Sequence, residues 1–156
     1  MSIEEKVVDL LIKKGYHISF AESCTAGLCS SRLVNVANAS KVFDLSFTTY
    51  ANEAKIKYLG VNGDTIEKYG VVSEEVAYEM AKGVAEEANS EIGVGVTGIA
   101  GPTGGTDKKP VGTVCFGFSI NGDVKTFTKR FGNIGRQEVR NASSAFVLVT
   151  LLDLLK

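Results

Sequence analysis

Apolar and polar positions along this chain alternate between the helical and the extended period. Ile3, Val7, Leu10 and Leu11 fall on one helical face behind Ser2 and Glu5, a capping-box pair, so the spacing predicts an opening helix that Gly15 ends. His17 to Ala21 reads as a strand, and Leu28, Leu33, Val34 and Val36 as a helix running out near Asn38. Phe43 to Tyr50 reads as a second strand. Asn52 is placed to cap a short helix carrying Ala54, Lys55 and Leu59, which Gly60 stops, and Asp64 and Glu67 open a brief turn closed by Gly70. Ser73 caps the next helix, with Glu74 and Glu75 in its first turn; Val76, Met80 and Val84 alternate there with Ala77, Ala81, Ala85 and Ala88 to form a buried stripe. Ile92 to Thr97 is a short strand with small residues on both sides of the pleat, as a covered central strand requires. Val111 to Ile120 and Val124 to Arg130 are joined by Asn121-Gly122, a strong hairpin signal. Gly135 to Leu155 is the final helix, with Val139, Ala142, Phe146, Val149 and Leu152 facing inward. Strands and helices alternate until the hairpin, which predicts an α/β fold: a three-layer α/β/α sandwich with a mixed parallel/antiparallel sheet.

Composition narrows the function. At 156 residues, 44% hydrophobic and 22% charged, the chain suits one globular domain over residues 1–156. A net charge of −1 gives no general attraction to nucleic acid or to an anionic membrane, so an anion site must be local and the expected ligand is small. No apolar run approaches a membrane span, and the acidic N-terminus lacks a signal-peptide pattern; the expected location is cytoplasmic. Cys24, Cys29 and Cys115 suit free thiols in a reducing compartment, and with His17 as the single histidine no clustered Cys/His zinc site can be assembled.

Chemistry concentrates where the first strand stops, at Ala21-Glu22-Ser23-Cys24-Thr25-Ala26-Gly27. A hydroxyl at a strand-to-helix turn can act as a nucleophile whose oxyanion meets the amides of Cys24 or Thr25, or Ser23 can simply cap the helix. A Ser-His-Asp triad is disfavoured because His17 begins the strand that leads to Ser23, and extended geometry keeps the two apart. Lys55 is the preferred alternative base, since it opens the helix after the second strand and would share a sheet rim with Ser23; its other reading is a solvated surface lysine. Cys24 lacks the histidine or second cysteine that would activate it.

The glycine-rich stretch Gly98 to Asp107 is a loop whose amides can crowd round a phosphate, or else a wide turn. It is not a Walker loop, and Gly93, Gly95 and Gly98 match the dinucleotide fingerprint only in letters, because no helix opens after Gly98. Arg136 and Arg140, four apart at the start of the last helix, suit either a phosphate or a solvated face.

Ala21-Glu22-Ser23-Cys24-Thr25, Thr49-Tyr50-Ala51-Asn52-Glu53-Ala54-Lys55, Gly70-Val71-Val72-Ser73, Thr97-Gly98-Ile99-Ala100-Gly101-Pro102-Thr103-Gly104-Gly105 and Lys109-Pro110-Val111-Gly112-Thr113-Val114, taken in order, resemble the CinA C-terminal domain family, which includes the stand-alone nicotinamide-nucleotide amidases. The resemblance runs from about Val7 to the C-terminus, with Ala26 where many relatives carry glycine. It implies hydrolysis of nicotinamide mononucleotide (NMN) to nicotinic acid mononucleotide and ammonia, a pyridine-nucleotide salvage step. By that likeness Ser23 is the nucleophile and Tyr50 and Lys55 activate it, the lysine taking the proton directly or through the tyrosine hydroxyl. Cys24 and Thr25 then lie at the oxyanion, while Gly98, Ala100, Gly101, Thr103, Gly104 and Gly105, with Arg136 or Arg140, hold the 5′-phosphate. Neither metal nor cofactor is implied, and the partner is the small substrate, with neither nucleic acid nor membrane; the hairpin edge leaves self-association to a homo-oligomer open. The amino-terminal domain of some family members has no counterpart here, so its activity is expected to be absent. The rival reading is a non-catalytic nucleotide-binding or regulatory module linked to competence or DNA damage.

Overall fold

The computed structural model describes residues Met1–Lys156. Helix α1 (Ile3–Lys14) opens on the expected capping box: Glu5 N–H donates to Ser2 Oγ at 3.1 Å and Ser2 N–H donates to Glu5 Oε2 at 2.7 Å. Strand β1 (Ile18–Glu22) and helix α2 (Leu28–Val34) follow, then β2 (Phe43–Thr48), α3 (Asn52–Leu59), α4 (Gly63–Tyr69) and α5 (Glu74–Ala88). Strand β3 (Ile92–Gly98) leads through the glycine-rich loop to the hairpin β4 (Thr113–Ile120) and β5 (Asp123–Arg130), and α6 (Arg136–Leu154) closes the chain. No helix is long and apolar enough to cross a membrane.

The five strands lie in the order β2-β1-β3-β4-β5, the first three parallel and the hairpin antiparallel. The carboxyl ends of β1, β2, β3 and β5 and the amino end of β4 therefore share one rim. Helices α1, α2 and α6 cover one face over Phe20, Val94 and Phe116; α5 with α3 covers the other over Ala21, Leu45 and Phe47. This is the three-layer mixed-sheet α/β architecture that the alternating pattern predicts.

Five details differ from the sequence expectation. The stretch expected as a brief turn is helix α4, capped by Asn62, whose Oδ1 accepts from Asp64 N–H at 2.9 Å. The small residues of β3 sit on one face only: Gly93 and Gly95, with Gly117 of β4, lie beneath α5, and a Cβ on Gly95 would stand 2.7 Å from the Ala77 carbonyl oxygen. Helix α2 does not begin after Ser23 and stops at Val34, because Ala26 (φ 46°) and Gly27 (φ 92°) are left-handed and hold the chain out of the helix until Leu28. Asn52 is not the cap of α3; Ala51 holds that position with no side-chain bond. The inward face of α6 runs through Val139, Ser143, Val147 and Leu151, with Ser144 and Leu148, while Val149 is 48% exposed. Counting apolar residues misses this face because Ser143 and Ser144 satisfy their hydroxyls on their own helix, at Val139 O (2.7 Å) and Asn141 O (2.8 Å), and so can be buried as small side chains.

Gly83, in the middle of α5, decides how closely α3 can approach. Its missing Cβ would lie 1.9 Å from the Leu59 carbonyl oxygen at the end of α3. In an exposed helix glycine-to-alanine stabilises by roughly 1 kcal/mol. Here the steric conflict opposes and exceeds that gain, so Gly83→Ala is expected to lower the melting temperature; a raised value in thermal denaturation would contradict the packing.

Candidate active site

The last residue of β1 and the residue after it send their side chains to opposite layers. Glu22, fully buried, turns to α2, where its carboxylate accepts from the N–H groups of Cys29 (2.9 Å) and Ser30 (3.1 Å) and from the Ser30 hydroxyl (2.6 Å). It supplies the cap that Gly27 lacks, so the first-turn amides of α2 are occupied and do not face a substrate. Ser23 continues the pairing with β3 by donating its N–H to Val96 O (3.0 Å) and turns its side chain the other way. Its hydroxyl does not cap a helix. Lys55 Nζ meets it at 3.0 Å.

Lys55 reaches Ser23 from α3, and its side chain is only 1% exposed. The amine also donates to Thr49 O (2.7 Å) and Tyr50 O (3.0 Å), and no carboxylate lies within ion-pair distance. Burial without a counter-charge disfavours the ammonium and brings its pKa down to about 8. A neutral amine has two protons and one lone pair. The two carbonyls take the protons, which leaves the lone pair for the Ser23 hydroxyl.

Around this pair lies a cavity of about 260 Å³, open at the carboxyl rim. Of the residues expected at a ligand, Ser23, Cys24, Tyr50, Lys55, Gly98, Ala100, Gly101, Thr103, Gly104 and Arg136 line it. The amides of Ala100, Gly101, Thr103 and Gly104 have no hydrogen-bond partner in the protein, nor does that of Cys24. Arg136 reaches from the start of α6 and donates to Gly101 O (2.8 Å) and to Tyr50 Oη (2.9 Å). The Tyr50 hydroxyl is thus engaged by the guanidinium, and its ring is 59% exposed; toward Lys55 it offers its carbonyl.

Three expected residues are outside the lining. Thr25 is wholly buried in the turn, and Gly105 packs against Val111, where a Cβ would stand 2.6 Å from the backbone nitrogen. Arg140 turns its guanidinium to the carbonyls of Cys24 (2.9 Å) and Thr25 (3.0 Å), one helical turn beyond Arg136 but behind the cavity wall. Sequence reasoning missed Asn52, Val71, Val72, Thr97 and Ile99, which complete the lining. Thr97 holds the 71–72 segment to the sheet by donating to Val71 O (3.0 Å). The open cap of α3, which leaves the Asn52 side chain free, carries no signal in the sequence.

The remaining thiols and the imidazole are elsewhere or inert. Burial pushes the Cys24 thiol up to about 12, and Cys29 and Cys115 are core residues. His17 lies at the opposite end of β1 with Nδ1 2.7 Å from Asp44 Oδ1, a hydrogen bond that raises its pKa.

A hydroxyl on an unpaired buried amine, at the carboxyl rim of an open α/β sheet, defines this protein as an α/β sandwich with a serine–lysine site. The sequence pattern described as "CinA C-terminal domain" matches residues 1–155. A CinA-like protein of Kosmotoga olearia is 53% identical over 148 residues, covering 94% of this chain and 35% of that protein. A putative competence-damage inducible protein of Alkaliphilus oremlandii is 49% identical over 156 residues, covering 100% of this chain and 37% of that one. This chain therefore spans about a third of the length of the curated relatives it matches. Among solved structures, the competence/damage inducible protein CihA from Agrobacterium tumefaciens superposes with a TM-score of 0.92 at 38% identity, covering 100% of this chain and 98% of that one. The competence or damage-inducible protein from Enterobacter asburiae gives 0.95 at 34%, covering 99% and 96%. The chain belongs to the CinA C-terminal domain family.

The lowered pKa of Lys55 makes stability depend on pH. Between about 8 and the ordinary 10.5 the unfolded chain binds a proton that the folded chain has released, so stability rises with pH across that window and is flat on either side. Relative to Lys55→Met, the parent is expected to gain on the order of 2–3 kcal/mol between those pH values. Denaturant unfolding of both proteins at pH 7.5 and about pH 10.5 checks this; parallel profiles would mean that the amine is not desolvated.

Proposed function

We propose that this protein hydrolyses the carboxamide of nicotinamide mononucleotide to nicotinic acid mononucleotide and ammonia, with Ser23 as nucleophile and Lys55 as its base. The observation that carries the reading is the 3.0 Å approach of a buried, uncompensated amine to a cavity-facing hydroxyl. A lysine with a pKa near 8 is suited to general acid–base work near neutral pH.

In this reading the Lys55 lone pair takes the Ser23 proton as Oγ bonds to the carboxamide carbon. The Cys24 N–H, unpaired in the cavity wall, donates to the developing oxyanion. Lys55 returns the proton to the amide nitrogen as the C–N bond breaks, and ammonia leaves. The same amine then draws a proton from water, hydroxide adds to the acyl carbon, and Ser23 Oγ departs with the proton restored. The direct contact needs no relay, so Tyr50 acts by holding Arg136 rather than by carrying the proton. Two guanidinium donors of Arg136 are engaged and the others remain for the 5′-phosphate, beside the free amides of the glycine loop. Binding the phosphate orients the distant amide.

Ammonia release with NMN, beside nicotinamide, nicotinamide riboside and NAD, tests the substrate. NMN is expected to be the preferred substrate; binding of NMN without ammonia release would instead favour a regulatory module. Ser23→Ala is expected to abolish turnover while NMN still binds in calorimetry, and the parent's kcat/KM is expected to rise with pH to a plateau above about 8, as Lys55 loses its proton. Turnover by Ser23→Ala at the parent rate would remove the nucleophile. Arg136→Ala should raise KM by roughly 10-fold or more with kcat little changed, as expected for loss of charge-assisted bonds to a remote anion. An unchanged KM would place the phosphate elsewhere.

A further inference from the structure

Arg140 is the unusual cation of this structure. It is partly buried, forms no ion pair, and spends its planar fork on two successive main-chain carbonyls, Cys24 O through Nε and Thr25 O through Nη2. These belong to the irregular turn between β1 and α2, which has no ladder to fix it and contains two left-handed residues. The peptide before Cys24 is held from inside the turn, where Ser23 O accepts from Ala26 N–H at 3.1 Å. The peptide after Cys24 is held by Arg140 alone. A trans peptide is planar, so the Cys24 N–H lies in the first of these planes, opposite Ser23 O, and keeps its direction only while the 23–26 turn that donates the Ala26 N–H holds its shape; Arg140 clamps the next two carbonyls of that turn.

We propose that Arg140 is a positioning residue for catalysis: by clamping the Cys24 and Thr25 carbonyls behind the cavity wall it aims the unpaired Cys24 N–H at the oxyanion formed on Ser23. The inference rests on the serine–lysine reading of the site, and it gives Arg140 a task other than binding phosphate. A preorganised donor helps because it needs no reorientation as charge develops, and loss of one such donor costs about 10²–10³ in kcat. Loosening the turn should sacrifice much of that benefit without touching either the substrate's phosphate or the base.

Arg140→Ala is therefore expected to lower kcat by roughly 10²-fold, with KM within about twofold of the parent and the Lys55 limb of the pH profile in place. Arg140→Lys, which keeps the charge but cannot fork to both carbonyls, should recover only part of the loss. A second readout does not depend on NMN: acylation of Ser23 by p-nitrophenyl acetate, followed by intact-protein mass, should slow by a similar factor in Arg140→Ala. If the parent acylates but leaves NMN intact, the substrate reading fails and the acylation rates still decide the role of Arg140. A folded Arg140→Ala that acylates at the parent rate overturns the proposal, as does a variant whose loss lies in KM. Should Arg140→Ala fail to fold, the same comparison is made with Arg140→Lys and Arg140→Gln, whose acylation at the parent rate would equally overturn it.

Discussion

A primary amine buried without an acid beside it is the constraint on which the site depends. An ammonium taken out of water is costly unless paired, and the structure supplies Lys55 with carbonyl acceptors in place of a carboxylate. Carbonyl dipoles satisfy its N–H groups in either protonation state, whereas a carboxylate would hold the proton on. The outcome is an amine that gives up its proton near pH 8 and has a hydroxyl as its third neighbour.

The placement of that amine rests on close packing some distance away. Gly93, Gly95 and Gly117 let α5 lie directly on the sheet, and Gly83 lets the end of α3 lie directly on α5. Each missing side chain lowers a layer toward its neighbour, and together they set the depth from which Lys55 reaches Ser23. The parallel strands set the other coordinate: β1, β2 and β3 all end at one rim, so the turn after each contributes to a single cavity.

Much of this was legible in the sequence because it is local. The capping box of α1, the Ser73 cap of α5, the Asn-Gly hairpin and the strand–helix alternation are short-range patterns, and they led to the observed elements. Ser23 and Lys55 could be paired as candidates from their places after consecutive strands, while their contact needed β2 beside β1 in register. What escaped was long-range. Arg136 and Arg140 look equivalent on a helical wheel, yet one crosses the cavity mouth and the other grips a turn 115 residues earlier, which depends on how α6 sits against α2. Periodicity misplaces the face of α6 because buried serines count as polar in a pattern and behave as small residues in a core.

Consecutive residues of an extended strand face opposite ways. Glu22 and Ser23 obey that rule at the end of β1, the acid to α2 and the hydroxyl to α3. One residue inserted into β1 would set Glu22 where Ser23 stands and bring a carboxylate to the amine, which would then hold its proton in an ion pair. Odd or even position at the end of β1 thus decides whether the amine meets a hydroxyl or an acid.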